Sequence, residues 1–359
     1  MKKNICFLVG NLSSSGGTER VTSLIANEIA EEDGYNISIL SLVDGKTPFF
    51  DLNPLISIHS LYDKKISFKS NFLSTVWKIR KFLQEYQIDT LIVVDTISCI
   101  FTVPALIGLK IKHICWEHFN FINNNGVKLR DFSRKLAVRH CDYVITLTEK
   151  DKNVWLKNLK NIHAQIINIA NPCPFPIQDY RKEKNTKTVL AVGRLTHVKG
   201  FDMLLEAWFQ VNKLMPEWKL KIVGDGEDKL ILSEFIKRNK LIESVVLVGN
   251  TNNVSKYYEE AEIFCLSSRF EGFPMVLLEA QAFGLPIVAF DCETGPAEIV
   301  EHNINGLLVE SGNIIGLTDS LLELINLSNI QYKNMSSNAV KNSTRYSVNS
   351  IMKKWLAII

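Results

Sequence analysis

The sequence predicts an α/β fold made of two doubly wound, Rossmann-like domains that face a central cleft. Its 359 residues exceed what one hydrophobic core usually holds. Apolar runs alternate with helical patterns, and this alternation stops once, at the proline cluster 171–176 and the polar stretch 178–187, before it restarts. We therefore expect an N-terminal domain over residues 1–172 and a C-terminal domain over 173–344, with a last helix at about 345–359 that packs back on the first.

Short apolar runs separated by helical segments define the N-terminal domain. Parallel strands need a long crossover connection, usually a helix, so this order predicts a parallel sheet. The predicted strands cover 4–9, 36–42, 55–60, 90–94, 111–116, 143–147 and 165–169, and the clearest helices cover 21–32 and 71–87.

The same unit recurs in the C-terminal domain. Ligands of such sheets bind outside the carboxyl ends of the strands, so the loops that follow strands are where function is expected. The predicted strands cover 188–192, 220–223, 245–248, 262–266, 287–290 and 306–309, and the predicted helices lie near 200–214, 227–240, 253–260, 275–283, 296–302, 313–327, 331–343 and 348–359.

Composition narrows the classes of function. The net charge is only +3, which gives no indication of nucleic acid as a partner. Seven scattered cysteines form no C-x-x-C pair, which favours buried thiols in a reducing cytoplasm over disulfides. Asp95 and Pro104 interrupt the apolar stretch 91–109, which therefore predicts a strand, a loop and a helix rather than a membrane span. Any membrane association is expected to be peripheral.

The segment 267–300 carries the clearest functional pattern. Glu271 and Glu279 lie eight positions apart, and Pro274 stands between them just ahead of an apolar run. Because proline suits the first turn of a helix, we expect Glu271 in the preceding loop and Glu279 on the second turn. Free N–H groups at that helix start form an anion site. One segment can thus offer two carboxylates and a row of amides to one elongated ligand.

Basic and glycine-rich loops follow two predicted strands. Arg194 and Lys199 precede a helix and could compensate the charge of a diphosphate, although a solvated basic turn is the alternative. Gly16 and Gly17 follow the first strand and would let the backbone approach an anion. Their spacing does not meet the G-x-G-x-x-G dinucleotide fingerprint, and a plain turn is the alternative there.

Two further strand ends carry polar groups. His118 follows the strand 111–115 and is expected at the cleft, although a structural histidine is the alternative. The glycines and carboxylates of 224–227 predict a turn near the cleft.

The chain has no clear D-x-D motif and no His/Cys set with metal-ligand spacing, so we predict neither a metal ion nor another cofactor.

A basic amphipathic stretch lies in the N-terminal domain. Residues 64–83 contain six Lys or Arg, no Asp or Glu, and many apolar side chains. Such a surface could lie on anionic lipid headgroups. The alternative is a helix with one buried face and solvated lysines. A second basic helix is expected at 128–139, where Asp131 is the one acidic residue.

Taken together, these motifs resemble glycosyltransferase family 4, the retaining sugar transferases of GT-B fold. The family's E-x7-E signature is matched by E-G-F-P-M-V-L-L-E at 271–279. The likeness covers essentially the whole chain in order, through S-G-G-T-E-R (15–20), V-G-R-L-T-H-V-K-G (192–200), G-D-G-E (224–227), G-L-P-I-V-A-F-D-C-E-T-G-P-A-E-I-V (284–300) and N-G-L-L-V (305–309).

The resemblance implies a nucleotide-sugar donor and its contacts. Arg194 and Lys199 would bind the diphosphate, and Glu279 would bind the ribose. The Glu271 loop would contact the sugar and its phosphate, and His118 would contact the transferred sugar. The donor-binding residues implied are Gly16, Gly17, Arg194, Lys199, Gly249, Asn250, Thr251, Glu271, Gly272, Phe273, Pro274 and Glu279. The residues implied in catalysis are Glu271, His118, Arg194 and Lys199.

The resemblance also implies a mechanism and an acceptor. Similar retaining enzymes are thought to react on one face of the sugar, with the leaving phosphate helping to take the acceptor proton. The D-C-x-x-G-P-x-E-I segment at 291–299 resembles bacterial enzymes of O-antigen, capsule or lipopolysaccharide synthesis. A UDP-hexose or UDP-N-acetylhexosamine donor and a lipid-linked saccharide acceptor at the inner face of the membrane are therefore expected.

Three alternatives remain open at this point. The first is a GDP-mannose-dependent mannosyltransferase of the same family, because a base pocket made mostly of backbone discriminates poorly between bases. The second is a nucleotide-sugar epimerase of the same shape, although such enzymes do not carry this E-x7-E context. The third is a non-catalytic protein that binds sugar nucleotides or glycans.

Overall fold

The protein is described by a computed structural model over residues 2–122, 127–177 and 185–359. Most of the polar stretch 178–187 lies outside the described residues. The predicted α/β class is confirmed, because two parallel sheets are each flanked by helices. The chain divides into two compact units, the first comprising Met1–Asn171 with Asn349–Ile359 and the second comprising Pro172–Val348.

The first unit contains a seven-stranded parallel sheet in the order β3-β2-β1-β4-β5-β6-β7. Every residue of β4 is buried, as expected of a strand covered on both faces. The strands are β1 Lys3–Val9, β2 Tyr35–Ser41, β3 Ser57–Ser60, β4 Thr90–Val94, β5 Lys112–Trp116, β6 Tyr143–Thr146 and β7 Gln165–Asn168. The helices are α1 Gly17–Glu31, α2 Phe72–Glu85, α3 Cys99–Leu106, α4 Lys128–His140 and α5 Glu149–Asn158.

The second unit contains a six-stranded parallel sheet in the order β10-β9-β8-β11-β12-β13. The strands are β8 Thr188–Val192, β9 Lys219–Val223, β10 Val245–Gly249, β11 Ile263–Leu266, β12 Ile287–Asp291 and β13 Gly306–Glu310. The helices are α6 Phe201–Leu214, α7 Lys229–Arg238, α8 Ser255–Glu260, α9 Met275–Ala282, α10 Pro296–Ile299, α11 Ile314–Ile325 and α12 Asn329–Ser343.

The last helix, α13 (Val348–Leu356), packs within the first unit. The ring of Trp355 is fully buried and meets the ring of Trp116 edge to face, with centroids 4.7 Å apart. Lys112 Nζ donates to the carbonyl of Ile358 at 2.9 Å. The C-terminus is thus joined to β5, the strand that precedes His118.

The strand order reverses beside the first strand of each unit. β1 lies between β2 and β4, and β8 lies between β9 and β11. Loops that leave such neighbouring strands run to opposite faces of the sheet and open a crevice at its carboxyl edge. In the second unit these loops are 193–200 after β8 and 267–274 after β11.

Two prolines differ from their expected places. The apolar stretch 91–109 forms a strand, a loop and a helix as predicted, but Pro104 lies inside the helix α3. Pro274 was expected in the first turn of α9, but it precedes that helix as its N-cap residue, with extended backbone. Both helices are short, so local pattern alone defines their first residue poorly.

Candidate functional site

The loops after β8 and β11 meet at an ion pair in the second unit. Lys199 Nζ lies 2.8 Å from Glu271 Oε1, and the Glu271 side chain is only 9% exposed. The Ser268 hydroxyl donates to the same oxygen at 2.6 Å, and the Thr294 hydroxyl donates to the backbone carbonyl of Glu271 at 2.9 Å. Glu271 is therefore held in a fixed orientation with a cation beside it.

Backbone contacts hold the same two loops together. The amide of Arg269 donates to the carbonyl of Val198 at 2.8 Å, and the Ser267 hydroxyl donates to that of Lys199 at 3.0 Å. Gly200 has φ +64°, and a Cβ there would lie 2.0 Å from the carbonyl oxygen of Ser267. Only glycine fits such a position without moving a loop.

Arg269 and Asp202 reinforce this junction and were missed by sequence reasoning. Arg269 Nη1 and Nη2 donate to the two carboxylate oxygens of Asp202 at 2.8 and 2.6 Å, and Nη1 also donates to the carbonyl of His197 at 2.7 Å. The paired guanidinium holds the pKa of Asp202 below its usual range. The position of Arg269 two residues before Glu271 is the only feature of the local sequence that indicates its role in holding these loops together.

Arg194 occupies the same edge of the sheet but is solvent-exposed. Its side chain is 75% exposed and lies 3.6 Å from the exposed carboxylate of Glu227. The backbone beneath it is fixed by two hydrogen bonds of 3.0 Å. The amide of Gly193 donates to the backbone carbonyl of Val223, and the amide of Leu195 donates to the backbone carbonyl of Asp225. A surface pair of this kind is weak, so the guanidinium can turn toward an anion at little cost.

Glu279 lies on α9 and is almost fully buried, with 3% exposure. The hydroxyl of Tyr258 donates to its Oε2 at 2.8 Å. The Tyr258 ring is itself fixed by stacking on Phe283 and Phe264, with centroids 5.4 and 5.8 Å apart. Tyr258 therefore positions this carboxylate, a role that no motif indicated.

The remaining second-unit candidates lie at two loop ends. Phe273 is buried, with its ring 5.8 Å from that of Tyr346, and Gly272 and Pro274 flank it at the start of α9.

Gly249 ends β10, where its carbonyl accepts from the amide of Gly224 at 3.0 Å. Asn250 follows, and the Thr251 hydroxyl accepts from the amide of Asn253 at 3.1 Å.

His118 lies in the first unit, two residues after β5. Its ring is 4.4 Å from that of Trp116, and its Nε2 is buried without a hydrogen-bond partner among the described residues. Burial lowers the pKa of His118 to about 3. The imidazole is therefore neutral near pH 7, so it can exchange hydrogen bonds but supplies no positive charge.

A buried carboxylate anchors the loop that carries His118. Glu117 accepts from Arg134 Nε at 3.2 Å, from Arg130 Nη1 at 3.3 Å and from the Thr96 hydroxyl at 2.5 Å. Arg134 also donates to the carbonyl of Asn120 at 2.8 Å. Burial and the nearby carboxylate of Asp95 raise the pKa of Glu117, and the two guanidinium groups oppose that shift.

The predicted second basic helix is present as α4, but two of its five cations do not face solvent. Arg130 and Arg134 on α4 are buried, 5% and 0% exposed, and they face Glu117 instead of solvent. Their inward orientation follows from the charge of Glu117, which a buried site tolerates only when it is paired.

Gly16 and Gly17 lie at the start of α1. Gly16 is the N-cap residue, and no described side chain caps this helix start. A Cβ on Gly17 would meet nothing within 4 Å, whereas a Cβ on Gly16 would clash with the carboxylate of Glu19, which lies against the start of α1.

The structure thus brings Lys199 and Glu271 into contact and distributes the other candidates over the two units. The second unit holds Arg194, Gly249, Asn250, Thr251, Gly272, Phe273, Pro274 and Glu279, and the first unit holds Gly16, Gly17 and His118.

Comparison with known families finds two matches that together span most of the chain. Residues 175–342 match the glycosyl transferases group 1, and residues 15–172 match glycosyltransferase family 4. An uncharacterized glycosyltransferase of Haemophilus influenzae is 41% identical over 99% of this chain and 100% of its own.

Two further relatives have described activities. The amylovoran biosynthesis glycosyltransferase AmsD of Erwinia amylovora is 32% identical over 99% of each chain. An alpha-1,4-N-acetyl-D-galactosaminyltransferase of Campylobacter jejuni, which acts on a GalNAc-GalNAc-diNAcBac-PP-undecaprenol, is 29% identical over 99% of this chain and 98% of its own.

Solved structures confirm the predicted GT-B fold. HepE of Anabaena, determined in complex with UDP, superposes with a TM-score of 0.83 at 20% identity and covers 99% of both chains. At this identity the likeness concerns the fold alone.

The close approach of Gly200 to Ser267 gives a first prediction. Gly200→Ala introduces both a strained left-handed alanine and a clash with a backbone carbonyl. Gly249→Ala is the matched control, since Gly249 has φ +84° but open space around its Cβ position. The control should lose about 1–2 kcal/mol of unfolding free energy from strain alone, and Gly200→Ala should lose clearly more. Equal losses in chemical denaturation would mean that the two loops separate freely.

Proposed function

We propose, because this chain belongs to the glycosyltransferases of group 1 and family 4, that it is a retaining enzyme that moves a hexose or N-acetylhexosamine from a UDP-sugar to a lipid-linked saccharide. The proposed setting is the synthesis of a bacterial surface polysaccharide. The observation that carries the proposal is the Lys199–Glu271 pair at the point where strand order reverses.

The residues around this pair match the chemistry of a nucleotide-sugar. Such a donor has hydroxyl groups at both ends and a diphosphate between them. Lys199 and Arg194 are suited to phosphate oxygens, because charge-assisted hydrogen bonds are the strongest that a side chain makes. Glu271 accepts hydrogen bonds, so it suits the hydroxyl groups of the sugar. The amides at the start of α9, beside Gly272, Phe273 and Pro274, add donors for phosphate.

Glu279 is proposed to hold the ribose. Its carboxylate accepts the Tyr258 hydroxyl at Oε2, and a carboxylate offers about four lone-pair sites. The backbone of Gly249, Asn250 and Thr251 is proposed to contact the base. The proposed base is uracil, by analogy with the UDP that is present in the HepE structure.

The proposed reaction breaks the bond between sugar C1 and the phosphate oxygen and forms a bond from C1 to the acceptor oxygen on the same face. The proton of the acceptor hydroxyl passes to the leaving phosphate. Lys199 and Arg194 stabilise the negative charge that grows on the diphosphate, which is the largest catalytic effect in sites of this kind. Glu271 is already occupied by a cation and a hydroxyl, which supports a positioning role over that of a nucleophile.

In the first unit, Gly16 and Gly17 are proposed to approach the diphosphate, and His118 is proposed to contact the transferred sugar. The space beside Gly17 is open, and the Glu19 carboxylate at Gly16 would have to turn away for a phosphate to reach the first amides of α1. His118 is neutral, so we assign it a hydrogen bond to a sugar hydroxyl. The ion pairs of Glu117 position His118 and are not expected to touch substrate.

A lipid-linked acceptor is supported by the Campylobacter relative, whose named acceptor is linked to undecaprenol diphosphate. AmsD acts in the synthesis of amylovoran, another bacterial polysaccharide. We therefore propose a saccharide on a polyprenyl diphosphate, reached at the cytoplasmic face of the membrane.

Helix α2 supplies the surface for that membrane contact. Its apolar residues divide in two: Ile79, Phe82 and Leu83 are buried, whereas Leu73 and Trp77 are 79% and 59% exposed. Lys81 Nζ lies 5.5 Å from the centre of the Trp77 ring. Exposed apolar groups beside lysines suit an anionic lipid surface. No described helix is both long and apolar enough to span a bilayer.

Donor choice is tested with a panel of UDP-, GDP- and ADP-sugars in thermal-shift and calorimetric titrations. A true donor at 100 times its Kd should add about 2.7 kcal/mol to the unfolding free energy. A response to GDP-mannose alone would replace the UDP-sugar proposal by a mannosyltransferase. Incubation without acceptor should leave the sugar unchanged, and a changed sugar would identify an epimerase.

The two cations give the second prediction. Lys199→Ala and Arg194→Ala should each lower kcat by about 10²–10³-fold, the usual cost of removing one group that stabilises transition-state charge. Lys237→Ala, an exposed lysine on α7, is the control and should keep full activity. Near-normal turnover in both Lys199→Ala and Arg194→Ala would remove the basis of the proposed diphosphate site.

The two carboxylates give the third prediction, because their assigned roles differ. Glu279→Gln should mainly weaken donor binding, by about 1.5–3 kcal/mol for lost hydrogen bonds to a charged group. Glu271→Gln should mainly lower kcat, because it changes the group beside the sugar. Calorimetric Kd and steady-state kcat separate the two effects, and an identical pattern in both variants would overturn this division.

Membrane contact gives the fourth prediction. Wild-type protein should float with anionic vesicles at low salt and less at high salt. Replacing Leu73 and Trp77 together with serine should weaken binding at least tenfold, given about 1.5–3 kcal/mol per buried apolar side chain. Ile315→Ser is the control, since Ile315 is equally exposed but lies in the second unit. Wild-type protein that ignores anionic vesicles contradicts the proposal.

A further inference from the structure

Three thiols and one imidazole meet in the core of the first unit. Cys99 begins α3, His113 and Cys115 lie on β5, and Cys141 directly follows α4. One ligand atom each from Cys99, His113 and Cys141 lie within 4.8 Å of one another. All four residues are buried. Within residues 2–122, 127–177 and 185–359, this is the one group of three potential metal ligands at such distances.

The histidine ring is oriented with a lone pair toward the sulfur atoms. The Thr102 hydroxyl donates to the carbonyl of Ser98 at 3.4 Å, so its oxygen accepts from Nε2–H of His113 at 3.1 Å. Nδ1 is then the unprotonated nitrogen, and it lies 3.5 Å from Cys141 Sγ. Metal-binding histidines almost always make such a second hydrogen bond, which fixes the ring and its tautomer.

Cys115 offers a fourth ligand. It lies two residues after His113 on the same strand, so both side chains point to the same face of the sheet. Its thiol donates to the Thr96 hydroxyl at 3.5 Å. Cys115 thus lies next to the group of Cys99, His113 and Cys141, and its thiol would have to leave Thr96 to become the fourth ligand.

The spacing suits a tetrahedral metal ion. Zinc bonds to sulfur are about 2.3 Å and those to nitrogen about 2.0–2.1 Å, so sulfur and nitrogen ligands of a tetrahedral ion lie about 3.5 Å apart. The Cys141–His113 distance has this value. Three thiolates and an imidazole are a common ligand set of structural zinc.

We infer that Cys99, His113, Cys115 and Cys141 bind a structural Zn²⁺ ion in the core of the first unit. The ion would be separate from the donor site and would take no part in sugar transfer. On binding, each ligating thiol releases its proton to solvent, and no oxidation or reduction takes place. Because the group is buried, the ion must enter while the chain folds, so its binding energy adds to folding stability.

The inference is tested first on wild-type protein. Protein expressed in zinc-supplemented medium and purified under reducing conditions should contain one equivalent of zinc by elemental mass spectrometry. Refolding with Co²⁺ should give the sulfur-to-cobalt charge-transfer absorption and strong visible bands of a tetrahedral thiolate site. Metal-free wild-type protein that also fails to develop these bands overturns the inference, as does a disulfide between any two of these cysteines.

Variants locate the ion. Cys99→Ala and Cys141→Ala should lose the zinc equivalent, whereas Cys6→Ala should retain it, because Cys6 is equally buried in the same core but outside the group. Thr102→Val keeps the side-chain shape and removes the second hydrogen bond of His113, so metal affinity should fall about 10–100-fold. Equal zinc in Cys99→Ala and wild type would assign the metal to another place and overturn the inference.

Discussion

The ion pair between Lys199 and Glu271 is the interaction on which the candidate site depends. It joins the loops after β8 and β11, neighbouring strands that are far apart in sequence. Around it, Arg269 donates to Asp202 and to the backbone of the first loop. These contacts fix the positions of one cation and one carboxylate before any ligand binds, and such preorganisation is what electrostatic catalysis requires.

Each unit contains a buried carboxylate, Glu279 in the second and Glu117 in the first, and the two have different surroundings. In the second unit, Glu279 lies on α9, the helix that follows the Glu271 loop, and accepts from the Tyr258 hydroxyl. In the first unit, Glu117 is surrounded by Arg134 and Arg130, and its ion pairs hold the backbone around His118. A buried charge is costly unless it is paired, so removing one partner leaves the other unsatisfied.

Much of the fold and part of the site could be predicted from local sequence. The alternation of strands and helices predicted both parallel sheets, because the spacing of apolar residues and the length of each crossover can be read from local sequence. Glu271, Glu279, Arg194 and Lys199 could be named as candidates because they stand within short motifs. Arg269, Asp202 and Tyr258 were not found as functional, because their partners lie 21 to 67 residues away in the chain. Likewise, no local pattern indicated that Arg130 and Arg134 face inward.

The sequence by itself determined the α/β class, the two-sheet organisation, the placement of glycines and charges at strand ends, and the likeness to family 4 glycosyltransferases. The tertiary structure decided which side chains touch: Lys199 with Glu271, Tyr258 with Glu279, and Cys141 with His113. The physical reason is the parallel sheet. It brings the carboxyl ends of strands together across long helical crossovers, so contacts between their loops cannot be inferred from spacing along the chain.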